Sequence, residues 1–329
     1  MSALLFSKIS AYIPGLMNLS VKQIESPMIK TCSIWRSLEI LGDTPILLIL
    51  ESMWLGSTRF KELKNRTGLQ KALLSNRLQR LIKNGLLRKG QAAGGSKHLE
   101  YRLTEKGVDL FPTVLTLYVW ERKWGSADSR RNLELQHEAC GSRLNPIPVC
   151  RSCGKAFGLH EVSFVEGPGV GLMPASYSRR RNQVTFQSDH PSLLRGSVEI
   201  LGDRWSALIM RAVFTALRRF DEIEVDTGAS PAIVADRLKN LVAIDVLKAR
   251  PYNHHPLRNE YFLTTKGLEY YSVIMMLMLW GDKYYGAAEG PPVILTHTSC
   301  GAQLIPEISC GSCDKTVAPQ DVAIVGLND

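Results

Sequence analysis

The sequence predicts a mainly α-helical protein with small β-hairpin wings (α+β). It reads as two tandem winged helix-turn-helix domains, each followed by a short ribbon-like tail. Three observations predict this. First, the chain is written twice. At an offset of 160 residues, Glu39-Ile-Leu-Gly-Asp43 returns as Glu199-Ile-Leu-Gly-Asp203, and Arg59-Phe60, Thr67-Gly68, Arg77-Leu78, Glu100-Tyr101, Lys106-Gly107 and Trp120 return in the same register. A register held over that length marks a duplicated domain, not a solenoid repeat. Second, Thr67 to Arg88 carries the apolar stripe of one short basic helix, and two strand-like runs follow it. Third, each copy ends in a His-x2-Cys pair and a Cys-x2-Cys pair at identical spacing.

The repeat divides the chain into an N-terminal extension (1–27), winged domain 1 (28–128), tail 1 (129–167), a linker (168–190), winged domain 2 (191–288) and tail 2 (289–329). The linker is rich in Gly, Ser and Arg and contains Arg179-Arg-Arg181, which reads as a solvated run, with a phosphate-touching arm as the second option. The first residues are mildly apolar without a basic leader or cleavage site, so no signal peptide is expected.

Within copy one, Ser33 to Ile40 and Pro45 to Trp54 read as helices around a Gly42-Asp43 turn, and Arg59 to Asn65 as a short third helix. In the basic helix, Leu74, Leu78, Leu81 and Ile82 share one face while Asn76, Gln79, Arg80 and Lys83 share the other. Gly85 closes it, because glycine accepts the left-handed turn at a helix end. In copy two the same helix opens with Ser230-Pro231, an N-cap followed by proline at the first helical position. Leu86 to Lys89 and Leu99 to Leu103 are predicted strands, and the glycine-rich loop between them ends in Lys97-His98. A single helix is expected from Thr104 to about Trp124, with Pro112 near its start. Its apolar surface is too wide to stay uncovered. Packing within its own module is one way to cover it; an interface joining the two modules is the preferred one.

The protein carries 40 basic and 31 acidic residues, a net charge of +9, which favours an anionic partner. A short basic helix with one buried stripe suits the DNA major groove, and a hairpin directly after it suits a wing at the backbone or minor groove. A solvated surface helix is the plain alternative. The candidate contacts to double-stranded DNA are Gln70, Lys71, Ser75, Asn76, Arg77, Arg80, Lys97 and His98 in copy one, and Ser230, Arg237 and Arg258 in copy two. The copies differ in charge. Gly68 to Arg88 has five basic residues and no acidic one, whereas Gly228 to Lys248 has three basic residues against Asp236 and Asp245. Copy one is therefore expected to supply most of the DNA affinity.

The run CSIWRSLEILGD, then RFKEL, LLSNRLQRLIKNGLL, EYRLTEKG and a closing Trp, resembles the HxlR family of bacterial winged helix-turn-helix regulators, over about Cys32 to Trp124 and again Ser192 to Tyr284. The resemblance implies a transcription regulator that binds operator DNA as a dimer through recognition helix and wing; a repressor is expected, and the clustered cysteines fit a reducing cytoplasm. Two modules in one chain depart from that pattern, so an internal pseudo-dimer stands beside the usual homodimer. A cysteine near the position of Cys32 acts as a redox sensor in some members, which makes Cys32 a redox candidate beside the simpler reading of a small core residue.

The remaining six cysteines form the two clusters. His137, Cys140, Cys150 and Cys153 in copy one, and His297, Cys300, Cys310 and Cys313 in copy two, each offer one imidazole and three thiolates, a known tetrahedral zinc shell. Two structural zinc ions are expected, one inside each tail. Redox dithiols at Cys150/Cys153 and Cys310/Cys313 are the rival. With all four positions filled by protein no catalytic metal is expected, and no nucleophile elbow, phosphate loop or dinucleotide fingerprint is present, so an enzyme is not predicted. The alternative function is a protein-interaction or redox- or metal-responsive module in which copy two no longer binds DNA. No run is apolar enough for a membrane span.

Overall fold

The computed structural model describes residues 28–91, 99–125, 134–174, 194 and 196–325. The extension 1–27, the wing-tip residues Lys97 and His98, and Arg179 to Arg181 of the linker lie outside the described residues.

Copy one runs β1 (Met28–Lys30), α1 (Ser33–Leu41), α2 (Thr44–Trp54), α3 (Phe60–Thr67), α4 (Lys71–Lys83), β2 (Leu87–Gln91), β3 (Leu99–Leu103), α5 (Glu105–Val108) and α6 (Phe111–Trp124). Its tail holds β4 (Glu134–His137), β5 (Pro146–Cys150) and β6 (Val162–Glu166), and β7 (Leu172–Pro174) follows. Copy two runs α7 (Ser197–Leu201), α8 (Arg204–Phe214), α9 (Phe220–Thr227), α10 (Pro231–Ala243), β8 (Leu247–His254), β9 (Leu257–Leu263), α11 (Thr265–Glu269) and α12 (Tyr271–Tyr285). Its tail holds β10 (Val293–His297), β11 (Pro306–Cys310) and β12 (Val322–Val325).

Local chemistry sets the helix–turn–helix. The Glu62 carboxylate accepts the backbone N–H groups of Thr58 and Arg59, both at 2.9 Å, and so satisfies two donors at the start of α3. Those bonds lower the Glu62 pKa, the one from Arg59 most. Gly68, at φ +65°, closes α3 in the left-handed conformation, and Gly228 does the same for α9 at +64°. The predicted stripe of α4 is buried at Leu74, Leu78 and Leu81. β2 and β3 pair antiparallel with Leu87 opposite Leu103, and the Tyr101 N–H donates to the Thr58 carbonyl at 2.8 Å, which ties the wing to the start of α3.

The helix expected from Thr104 to Trp124 is two helices, α5 and α6. Proline is not the cause. Copy two has Ser272 where copy one has Pro112, yet α11 and α12 part at the same place. A packing demand explains the shared break. A Cβ on Gly107 would lie 2.4 Å from the Leu86 carbonyl oxygen, and one on Gly267 2.2 Å from that of Val246. The short helix is thus pressed against the root of its own wing, while the long helix leaves to cover the other module.

That covering joins the two modules. α6 packs on α12, and α1 packs on α12. Trp120 donates from Nε1 to the Lys266 carbonyl at 2.9 Å, and its equivalent Trp280 donates to the Lys106 carbonyl at 2.9 Å. The preferred expectation, an interface helix joining two winged modules, describes α6 and α12. The pairing is pseudo-symmetric but not identical. Glu121, buried, accepts the Ser197 N–H at 2.7 Å at the start of α7. Its equivalent is Gly281, where a Cβ would lie 2.4 Å from the Ser33 carbonyl, so α1 approaches α12 too closely for any side chain.

The tails were expected to fold one per copy. They are exchanged instead. β4 pairs with β12, β5 with β11 and β6 with β10, all antiparallel. In the β5–β11 ladder Pro146 faces Cys310 and Cys150 faces Pro306, equivalent residues across the pseudo-two-fold. Strands of four or five residues leave their ladder groups unpaired if alone, and pairing each with the other copy fills those groups.

Candidate nucleic-acid interface and metal centres

Gln70 stands at the N-cap position of α4 and is exposed, as is Lys71 in its first turn; Ser75 is half-buried. Asn76 is exposed and its Oδ1 accepts from Arg77 Nη1 at 2.8 Å. Arg77 and Arg80, however, are turned back toward the module. Arg77 Nε lies 3.0 Å from Asp43 Oδ2 and Arg80 Nη1 3.5 Å from the same oxygen, and Arg80 also donates to the Glu39 carbonyl. The sequence placed Arg80 on the outward face. Asp43 is 5% exposed, and a buried carboxylate needs cationic partners, so it draws in both arginines.

Copy two repeats this with a change. Ser230 stands at the N-cap position of α10 and is exposed, without a capping side-chain hydrogen bond; Arg258 is exposed on β9. Arg237 Nη2 lies 2.8 Å from Asp203 Oδ2, and Arg237 also pairs with its neighbour Asp236. Where Asn76 leaves the charge of Arg77 intact, Asp236 offsets that of Arg237. Asp43 and Asp203 form a backbone bridge to each other, so the anchors of both recognition helices meet at the joint between modules.

One set of residues was missed. On α3, Lys61 and Lys64 are exposed and Arg66 half-buried; their equivalents on α9 are Asp221, Glu224 and Asp226. In a helix–turn–helix this first helix crosses the DNA backbone. The signal was available in the 160-residue offset, had the charge comparison been extended upstream of the recognition helix. The wing of copy two stays basic, with Lys248, Arg250 and Arg258 exposed.

The cysteines and histidines gather into two clusters, and their membership differs from that expected. His137 and Cys140 meet Cys310 and Cys313; Cys150 and Cys153 meet His297 and Cys300. All ligand atoms in a cluster lie within 4.8 Å of one another. His137 Nδ1 is 3.4 Å from Cys140 Sγ and 3.4 Å from Cys313 Sγ. His297 Nδ1 is 3.3 Å from Cys153 Sγ and 3.4 Å from Cys300 Sγ. The residue after each outer cysteine folds back over the sulfur at positive φ: Gly141 (+67°), Gly154 (+69°), Gly301 (+70°) and, where glycine is absent, Asp314 (+57°). The Ser142 amide beyond Gly141 points to the Cys140 sulfur and lowers that thiol, while Cys313, sharing the cluster with Cys140, is raised. The expected grouping by copy is corrected because β5 pairs with β11 and carries Cys150 and Cys310 across to the opposite copy's histidine.

Cys32 is buried at the N-cap of α1, where its sulfur accepts the Trp35 N–H at 3.4 Å. It also lies beside the Arg211 guanidinium of copy two. Burial opposes the charge on Arg211, but the adjacent Cys32 and Asp226 outweigh it and hold the proton more firmly than usual.

Two winged helix-turn-helix modules in tandem, with recognition helices and basic wings, define a helix-turn-helix regulator class. The HxlR-like helix-turn-helix family model matches residues 40–129 and 200–289, more than half of the chain, and the chain belongs to that family. It is 35% identical over 126 residues to the uncharacterized HTH-type transcriptional regulator Rv3095 of Mycobacterium tuberculosis, covering 38% of this chain and 80% of that protein. It is 28% identical over 92 residues to the HTH-type transcriptional regulator YodB of Bacillus subtilis, covering 28% of this chain and 82% of the relative. The solved structure of PA1374 from Pseudomonas aeruginosa, 34% identical, matches 37% of this chain and 84% of its own at a TM-score of 0.30. Both of these relatives carry the name of HTH-type transcriptional regulator. No helix among the described residues is long and apolar enough to cross a membrane.

Proposed function

We propose that the protein is a sequence-specific DNA-binding transcription regulator, acting as a repressor, in which one chain presents two recognition helices as an internal pseudo-dimer. Seated over an operator, the protein would exclude the transcription machinery and so repress. Copy one supplies most of the affinity. The observation that carries this is the charge contrast on the helix–turn–helix. Lys61, Lys64 and Lys71 are exposed on α3 and α4, while Asp221, Glu224 and Asp236 occupy the corresponding region of copy two. Each lysine at a phosphate releases a counterion, and each carboxylate there repels one. In copy one Arg77 acts partly by positioning α4 against Asp43. Two structural zinc ions, one per Cys/His cluster, brace the tails.

The test is a footprint on the DNA upstream of the protein's own gene at two salt concentrations, with the number of chains per site counted. One chain protecting two half-sites about one helical turn apart (roughly 34 Å) supports an internal two-winged reader. Two chains per site would make the chain a protomer of a homodimer. Absence of protection at low salt would turn the reading toward a protein partner.

A further inference from the structure

We propose that each Cys/His cluster binds one zinc ion across the two halves of the chain, so that the ions clasp the winged modules together and are not internal braces of separate tails. This rests on the reading of the clusters as zinc sites.

Three observations carry it. The first is composition: one imidazole and three thiols converge in each cluster, and every thiol is free. The second is size. A tetrahedral zinc shell built from Zn–N and Zn–S bonds has edges of about 3.6 Å between nitrogen and sulfur and about 3.8 Å between sulfurs. The Nδ1–Sγ separations are 3.3–3.4 Å, and Cys150 Sγ stands 4.0 Å from Cys300 Sγ. The third is burial. His137 and His297 are fully buried, and the Nε2 atom of each has no partner among the described residues. In each ring it is the Nδ1 edge that faces the sulfurs. A fully enclosed imidazole facing three thiols calls for a cation between them.

The topology then gives the ions their role. In the first site His137 ends β4 of copy one and Cys140 follows it, while Cys310 ends β11 of copy two and Cys313 follows it; the second site is the mirror arrangement. Neither half can complete a site. Loss of one ion releases strands belonging to both halves, and the exchanged ladders open together.

The test is the zinc content of double variants of the full chain, purified without chelator. Wild type is expected to hold two zinc ions. Cys140→Ser with Cys313→Ser removes two ligands from one site and should leave one ion. Cys140→Ser with Cys150→Ser removes one ligand from each site and should leave none. The pairs C153S/C300S (one ion expected) and C300S/C313S (none) repeat the test from the other side, should one variant be recovered only as aggregate. The reverse pattern, with none in C140S/C313S and one in C140S/C150S, would overturn the clasp and leave zinc inside each tail. No zinc in the wild type would overturn the zinc reading itself.

Discussion

The two winged modules share a backbone plan and differ in what they offer to an anion. In copy one the first helix of the helix–turn–helix carries Lys61 and Lys64 and its recognition helix opens on Lys71; in copy two the same first-helix positions hold Asp221 and Glu224 and the recognition helix opens on Pro231. The framework is kept in both: Glu62 and Glu222 start the first helix, Gly68 and Gly228 end it, and Arg77 and Arg237 reach the aspartate at the module joint. The lesson is that the residues which build the helix–turn–helix and those which charge its surface vary independently. A duplicated domain can change its surface without losing its fold. Copy two keeps a basic wing, so the loss is confined to the two helices.

The largest expected effect comes from reversing copy one's surface. Lys61→Glu, Lys64→Glu and Lys71→Glu together should weaken binding about 100-fold at moderate salt and make the salt slope shallower by nearly three, since each phosphate contact contributes about 0.9. Lys239→Glu with Lys248→Glu in copy two should cost far less. Fluorescence anisotropy titrations over a salt series measure both, and equal losses would erase the contrast.

Next are the anchors at the joint. Asp43 serves Arg77 and Arg80, whereas Asp203 serves Arg237. Asp43→Asn should destabilise the protein by about 2 kcal/mol and Asp203→Asn by about 1 kcal/mol, values held down because the arginines stay partly exposed. Urea unfolding curves give the comparison; the opposite ranking would mean that Arg80 adds nothing to its ion pair.

Single alanines sharpen the contrast. Lys71→Ala or Arg77→Ala should lower affinity about tenfold, and Pro231→Ala or Arg237→Ala by about twofold or less. Lys71→Ala should leave the urea midpoint unchanged, while Arg77→Ala should lower it, because only Arg77 also holds its helix in place.

One expected effect is a gain. Asp221→Lys with Glu224→Lys should raise affinity about fivefold at low salt, and the gain should vanish at high salt. No change at any salt would mean that α9 does not approach the DNA backbone.

Much of this molecule follows from the sequence alone. The duplication, the stripe of Leu74, Leu78 and Leu81, the left-handed glycines and the ligand spacing are local patterns with a period or offset that can be read along the chain. The charge contrast between copies is likewise a property of sequence. Three things only the tertiary structure decided. The break between α5 and α6 depends on Gly107 meeting the Leu86 carbonyl, a contact between distant segments. The fate of Arg77 and Arg80 depends on the buried carboxylate of Asp43, 34 and 37 positions earlier in the chain. The grouping of the metal ligands depends on β5 pairing with β11. Identical spacing in two copies gives each histidine two equivalent Cys-x2-Cys partners, and spacing cannot choose between them. Strand pairing across the pseudo-two-fold makes the choice, because it fills the ladder groups of both copies at once.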